Sequence, residues 1–168
     1  MAVEDEYLIF VVENNKIYNH LVSEYLKKHN FSRVRSIFSG EECIQVIEKG
    51  EIPDIIIQDY LLEEMNGIDV LRKVKKKSPH TDFLFLTSNE NMDVAVNTIK
   101  FGAYDYIVKD KLALEKVVFK INKIIQLKKL QEKNNQIRKS MLIFTGFIFL
   151  IVIFAFLYFV VDIFNVIK

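Results

Sequence analysis

The chain has 168 residues, 51% hydrophobic and 27% charged, with a net charge of +1, which is room for one core of ordinary domain size and about forty residues more. That charge balance gives no whole-chain attraction to nucleic acid, and the single Cys43 excludes an intramolecular disulfide and a cysteine-based zinc site. A reducing, cytosolic setting is expected for the folded part. No signal peptide is read at the start, because Met1 to Glu6 is acidic and the first apolar run, Tyr7 to Val12, is too short for one.

In chain order, short apolar runs alternate with segments of helical period. Tyr7 to Val12 reads as a buried strand, and Glu13-Asn14-Asn15 as a polar turn able to cap a helix. That helix is predicted over Lys16 to His29, with Ile17, Leu21, Val22, Tyr25 and Leu26 on one face and Lys27, Lys28 and His29 charging its last turn. Arg33 to Phe38 is a weaker strand. Ser39-Gly40 then opens a second helix, with Cys43, Ile44, Val46 and Ile47 inward and a stop at Gly50. The third strand, from Pro53, is apolar over Ile55 to Ile57, reaches Asp59 and passes into a polar loop ending at Asn66-Gly67. A fully buried parallel strand ends this way. Functional groups collect at the carboxyl ends of strands in open α/β sheets, so Asp59 is the candidate centre.

Ile68, Val70, Leu71 and Val74 mark a third helix, and Asp82 to Thr87 a fourth strand. Ser88-Asn89-Glu90 carries an N-cap signature for a fourth helix bearing Val94, Ala95, Ile99 and Phe101 and closed by Gly102. Tyr104 to Lys109 is the fifth strand. From Leu112 a fifth helix carries Leu114, Val117, Val118, Ile121, Ile124 and Ile125 in register. Five strand–helix pairs joined by short right-handed crossovers predict an α/β fold, a (βα)5 doubly wound parallel sheet covered on both faces.

From Glu6 to Gln126 the chain resembles the receiver domain of two-component response regulators, a chemotaxis-type flavodoxin-like fold. The matching pieces are Val11-Val12-Glu13-Asn14, Pro53-Asp54 to Asp59 with its loop to Met65-Asn66-Gly67, Phe85-Leu86-Thr87-Ser88, and Gly102-Ala103-Tyr104-Asp105-Tyr106-Ile107-Val108-Lys109. Their order and spacing agree with the family. The resemblance implies a signalling role rather than an enzymatic one, with a phosphoryl group passed to Asp59 from a histidine kinase or phosphotransfer protein. It also implies Mg²⁺ held by Asp59, Glu13, Asn14 and the backbone carbonyl of Leu61, and an aromatic switch at Tyr106 whose ring moves as the Thr87 hydroxyl is drawn toward the phosphate. Read alone, Tyr106 is equally an ordinary half-buried ring.

Phosphoryl transfer to a carboxylate meets charge repulsion and spreads negative charge over three equatorial oxygens, so cations and donors must already be in place. Lys109 is suited to pair with Asp59 or a phosphate oxygen, and the Thr87 hydroxyl to bond another. Separately, each reads as a solvated strand end or a cap. At three strand ends together with Asp59, they favour phosphoryl chemistry. The sequence departs from the family pattern at three points. Asn14 stands where an Asp is usual, leaving the metal site one acid short and Glu13 to compensate. Glu63 replaces a usual Pro in the loop after Asp59. Asp110 replaces the Pro that commonly follows the lysine, where a cis bond before a non-proline residue costs about 2.5 to 4 kcal/mol, so either strain is stored there or the loop runs differently. Leu61 and Asn89 flank the expected path of attacking water. A hydrolase on a related Asp-centred fold would want a second acid two residues after Asp59, and position 61 is Leu. His20, His29 and His80 read as surface residues and Cys43 as a small core filler.

Met141 to Val161 holds no charged residue, and about twenty-one helical residues at 1.5 Å each span roughly 30 Å, the thickness of a bilayer's hydrocarbon core. Gln126 to Ser140 is polar and basic, with neither Pro nor Gly to stop a helix. The expected organisation is a receiver over 6–126, an extended fifth helix forming a basic stalk over 127–140, and a C-terminal transmembrane helix over 141–163, with no effector domain. Leu127, Leu130, Asn134 and Ile137 recur as a coiled-coil seam too short to establish pairing, and the span has no GxxxG to indicate pairing through it. Lys128, Lys129, Lys133, Arg138 and Lys139 precede the span against Glu132, while Asp162 and Lys168 follow it. Positive charge stays inside, so the expectation is a single-pass protein of the bacterial inner membrane with a cytoplasmic receiver and its C-terminus outside. Two readings follow. One is a membrane-anchored phosphoacceptor signalling to a membrane-proximal protein, with the lipid bilayer and not nucleic acid as its other partner. The other is a phosphorylation-independent pseudo-receiver scaffold, favoured by Asn14 where Asp59, Thr87 and Lys109 favour the first.

Overall fold

Short apolar runs broken by polar turn residues bury themselves as central strands, and the runs at residues 9–12, 55–57 and 83–86 are used so. The computed structural model describes the backbone of residues 6–166 and the side chains of residues 6–154. Strands β1 Ile9–Val12, β2 Val34–Ile37, β3 Ile55–Gln58, β4 Asp82–Thr87 and β5 Asp105–Val108 pair in parallel in the order β2-β1-β3-β4-β5. Helices α1 Lys16–Lys28, α2 Gly40–Glu48, α3 Gly67–Lys77, α4 Met92–Lys100 and α5 Ala113–Val166 alternate with them. This is the doubly wound, flavodoxin-like (βα)5 sheet, and its strand order reverses at β1 and β3, where a crevice forms at the strand ends. β1 starts later than its apolar run because the Leu8 N–H donates to the Asp54 carboxylate at 2.9 Å rather than to a neighbouring strand.

Alternation along the strands splits the core in two. Phe10, Val12, Ile56, Phe83 and Phe85 pack with Cys43, Val46 and Ile47 of α2 and Val70, Leu71 and Val74 of α3. Ile9, Val11, Ile55, Ile57, Leu84 and Leu86 are buried on the other face, where α1 supplies Val22 and Leu26 and α5 supplies Val117 and Ile121. Fully burying such a side chain stabilises by about 1.5–3 kcal/mol.

Two helices differ from the periodicity. In α1 the inward stripe is Asn19, Val22, Ser23 and Leu26, while Ile17 is 84% exposed and Leu21 49% exposed. The stripe is rotated because the Asn19 amide reaches under the sheet edge and donates to the carbonyls of Val11, Glu13 and Ile37. In α4 the N-cap is Asn91, whose Oδ1 accepts from the Asp93 N–H at 2.8 Å, and not a residue of Ser88-Asn89-Glu90. Asn89 is used one step earlier, as acceptor for the Asn91 N–H. Thr98 is the buried residue of α4, whereas Ile99 and Phe101 are exposed.

The chain divides into two compact units, one ending at Ile124 and one beginning at Ile125. In the second, the α5 side chains from Gln131 to Phe154 are all exposed. Among the described residues one helix is long and apolar enough to cross a membrane, by length and composition. The side chains of the last part of the expected span, from residue 155 on, lie outside the described residues.

Candidate functional site

Parallel register places Val12 beside Gln58 and Thr87 beside Val108. Glu13, Asp59 and Lys109, each just beyond a strand, and Thr87, the last residue of β4, therefore arrive at one edge of the sheet from distant parts of the sequence. Backbone bonds continue the ladder and fix two of them: the Asp59 N–H donates to the Val12 carbonyl and the Lys109 N–H to the Thr87 carbonyl.

The Lys109 ammonium then closes the edge. Its Nζ is 2.6 Å from Glu13 Oε2 and 2.5 Å from Asp59 Oδ2, and it lies 4.5 Å from the centre of the Tyr18 ring. Glu13 is 4% exposed and Asp59 7%, so the three charges interact with little solvent between them. Burial pushes the Glu13 carboxyl up from its ordinary value, the bond from Lys109 and the Asn15 N–H pull it partly back, and the Asp59 charge adds to the rise. Burial works to lower Lys109, but its bonds to Asp59 and Glu13 outweigh that and leave the ammonium above its ordinary value. The lysine stays charged.

The other acceptor positions are spoken for by backbone. Asp59 Oδ1 accepts the Leu61 N–H at 3.2 Å and Glu13 Oε1 accepts the Asn15 N–H at 3.0 Å. The loop after Asp59 is held by the Gln58 amide on the Gly67 carbonyl, by the Gly67 N–H on the Tyr60 carbonyl, and by a bridge between Leu61 and Asn66. Gln58 Oε1 is buried with no partner. Gly67 is required by space: a Cβ there would lie 2.6 Å from Phe85, 2.7 Å from the Gln58 amide and 2.8 Å from the Asp59 carbonyl oxygen.

Thr87 and Tyr106 meet at one residue. The buried Thr87 hydroxyl accepts the Asn89 N–H at 3.2 Å, and the Tyr106 hydroxyl donates to the Asn89 carbonyl at 2.5 Å while its ring stacks on Phe85. Asn14 lies at the rim, with its amide nitrogen 3.5 Å from a Glu63 carboxylate oxygen. Leu61 turns its side chain out, 58% exposed. After Lys109 the loop runs without a cis bond, as none occurs among the described residues. Asp110 instead starts α5: its carboxylate accepts the Leu112 N–H at 2.9 Å and pairs with Lys116. The structure leaves three residues outside the site. His20 and His29 are exposed, and Cys43 is buried with its thiol pushed up to about 12 by desolvation.

Asn19 and Tyr18 are the residues that sequence reasoning missed. A lone Asn three residues before Val22, on the inward side of α1, was the available signal for the first. Nothing in the sequence marks Tyr18 as lying against Lys109.

Two buried carboxylates aimed at one cation are a donor set that suits a hard divalent ion, which prefers carboxylate, carbonyl and water oxygens. Among the described residues no group of three or more His, Cys, Asp or Glu stands together, so the acids of this site number two, Glu13 and Asp59.

Transcriptional regulatory protein CiaR of Streptococcus pneumoniae is 30% identical over 118 residues, 70% of this chain and 51% of that protein. Regulatory protein LuxO of Vibrio cholerae is 37% identical over 76 residues, 45% of this chain and 16% of that protein. The chain spans no more than about half the length of either relative. Among solved structures, the signal receiver domain of a putative LuxO repressor protein from Vibrio parahaemolyticus has a TM-score of 0.67 at 25% identity, over 75% of this chain and 95% of that one. The family model described as response regulator receiver domain matches residues 9–122, more than half of the chain and all four strand-end residues of the site, and the chain belongs to that family of two-component signalling domains.

Proposed function

We propose that this receiver accepts a phosphoryl group on Asp59 from the phosphohistidine of a histidine kinase or phosphotransfer protein, and that it signals at a membrane through protein contacts. The observation that carries the reading is the Lys109 ammonium 2.5 Å from Asp59 at the strand-end edge. An Asp59 carboxylate oxygen attacks phosphorus, the P–N bond to the donor imidazole breaks, and its electron pair returns to the ring. Negative charge then spreads over the three equatorial oxygens, and pre-placed cations and donors lower that barrier. Lys109 is one such cation. The Thr87 hydroxyl accepts from Asn89, which leaves its own proton to donate to a phosphoryl oxygen. Any turn of Thr87 toward the phosphoryl group pulls on Asn89, and Asn89 holds the Tyr106 hydroxyl, so Tyr106 is the proposed switch.

Receiver domains typically bind Mg²⁺ at their acidic pocket, and here Glu13, Asp59, the Asn14 amide oxygen and the Leu61 carbonyl are the proposed ligands. Mg²⁺, when bound, would neutralise the two carboxylates and orient the phosphoryl oxygens. The output face proposed is that of α4, β5 and the start of α5, where Met92, Val96 and Ile99 are exposed, and the partner is a protein rather than DNA. The proposed organisation is a receiver to residue 126, a stalk over 127–140 and a span over 141–163. The basic residues before the span support a cytoplasmic receiver with the C-terminus across the membrane, and each can add about 1 kcal/mol of attraction to anionic headgroups.

A second reading, a pseudo-receiver that is never phosphorylated, is favoured by one observation: Asn14 replaces an acid and its amide lies against Glu63. One experiment separates the two. The full-length protein is treated with a small phosphodonor and Mg²⁺ and the modified residue is mapped. Phosphorylation of wild type at Asp59 supports the first reading; modification of Asn14→Asp alone supports the second. A reporter fused after Lys168 tests the topology, and a cytoplasmic signal from it would overturn the proposed orientation.

A further inference from the structure

We propose that the stalk of α5 pairs with the same stalk of a second copy of this chain, parallel and in register, as a two-stranded coiled coil. Between residues 126 and 140 the apolar side chains are Leu127, Leu130 and Ile137, and they are 43%, 56% and 49% exposed. With Asn134 they recur at three, four and three residues, the a and d positions of a heptad. A strict a/d stripe is the narrow seam of a coiled coil, not the wider apolar face of a helix that lies on its own domain. The phase continues through Met141 and Phe144, 64% and 65% exposed, so the seam does not break where the apolar segment begins.

Asn134 identifies the occupant. An amide at an a position needs a polar partner across the seam, and a second copy in parallel register supplies its own Asn134 at that layer. A slip of one heptad would set the amide against Leu127 or Met141, and an antiparallel mate would set it against a d-position side chain. Either would leave a buried amide unpaired. The seam is therefore complementary to itself. A shared membrane span would supply the parallel orientation and raise the effective concentration of the two stalks; for that orientation, though not for the seam, the inference rests on the membrane reading. One feature opposes pairing: Lys133 at a g position faces Arg138 at the e position of the other copy, twice per dimer. Like charges there weaken a pair without changing its register, and this supplies a directional test.

Cys43 is buried with its thiol pushed up to about 12, so the full-length wild type in membranes should give no oxidative crosslink, and single introduced cysteines report alone. Leu130→Cys and Ile137→Cys are expected to form disulfide-linked dimers, while Lys129→Cys and Gln136→Cys, one position earlier on the outer face, are not. Adding Lys133→Glu to Ile137→Cys should raise the crosslinked fraction, because the new carboxylate faces Arg138. In an antiparallel pair it would face its own copy and lower the yield. Equal crosslinking at all four positions, crosslinking at none, or a fall with Lys133→Glu overturns the proposal. Alkaline extraction of the same membranes reports the span separately: release of the protein would refute the membrane reading, while the crosslinking pattern still decides the seam.

Discussion

The Lys109 ammonium lies 4.5 Å from the centre of the Tyr18 ring and is bonded on its other side to Glu13 and Asp59. A cation over an aromatic face gains about 0.5–1 kcal/mol when exposed and about 2 when desolvated, and this one is largely desolvated. Tyr18→Leu is therefore expected to destabilise a segment ending at Gln126 by about 1–2 kcal/mol in urea unfolding, and Tyr18→Phe, which keeps the ring, by much less. Equal losses in the two variants would assign the effect to the hydroxyl or to packing and not to the ring face.

That contact was not legible in the sequence, and the reason is physical. Apolar runs such as Ile55 to Ile57 announce strands, and an Asp just past one announces a strand-end site, because both follow from local pattern. The Lys109–Glu13 bond depends instead on the register that sets β1, β3, β4 and β5 side by side. The face of α1 departs from its apolar periodicity because Asn19, a polar residue, takes the inward position to satisfy three strand-end carbonyls. The start of α4 is ambiguous in the sequence because several capping residues stand in a row from Ser88 to Asn91, and the tie from Asn89 to Thr87 and Tyr106 leaves Asn91 as the cap.

Removing Lys109 exposes the two carboxylates to each other. Breaking one partner out of a buried ion pair costs about 3–5 kcal/mol, and Lys109→Met should lose an amount in that range near neutral pH. The sign with pH follows from the raised Glu13 carboxyl. A carboxyl whose folded value lies above its unfolded one favours folding only where it is protonated, and without the ammonium that rise is larger. The deficit of the variant should therefore shrink as pH falls toward the ordinary carboxylate range near about 4.3. In wild type the raised ammonium contributes fully below the ordinary lysine value and is lost at alkaline pH as its own folded value is passed. Unfolding midpoints at several pH values measure both trends. A deficit independent of pH would show that the carboxylates are not coupled through Lys109.

Gly67 tests the loop that carries Asp59. Its missing side chain leaves space already taken by Phe85, the Gln58 amide and the Asp59 carbonyl oxygen, and the last of these is backbone that cannot swing aside. Gly67→Ala is expected to cost about 1–3 kcal/mol, the usual range for overpacking. It should also displace Asp59, so Mg²⁺ affinity measured by calorimetry should fall with stability. A stable variant with unchanged affinity would mean that the loop moves as freely as any surface turn.

A phosphoryl group on Asp59 is expected to be long-lived. Hydrolysis needs a water aligned opposite the carboxylate oxygen and a group to take its proton. The two residues at the rim offer neither. Leu61 is apolar, its side chain 58% exposed and its N–H bound to Asp59. Asn89 has its side-chain oxygen on the Asn91 N–H and its backbone held by Thr87 and Tyr106. A positioned general base is worth about 10² or more in rate, and its absence should leave the aspartyl phosphate stable for many minutes after the phosphodonor is removed. Leu61→Glu supplies a carboxylate at the rim without touching Asp59, Thr87 or Lys109, and it should shorten the lifetime toward that factor while leaving the rate of phosphorylation within about twofold. The decay is read from intact-protein mass after rapid desalting. A wild-type lifetime of seconds, or a Leu61→Glu variant that decays no faster, would show that water reaches the phosphoryl group by a path these two residues do not control.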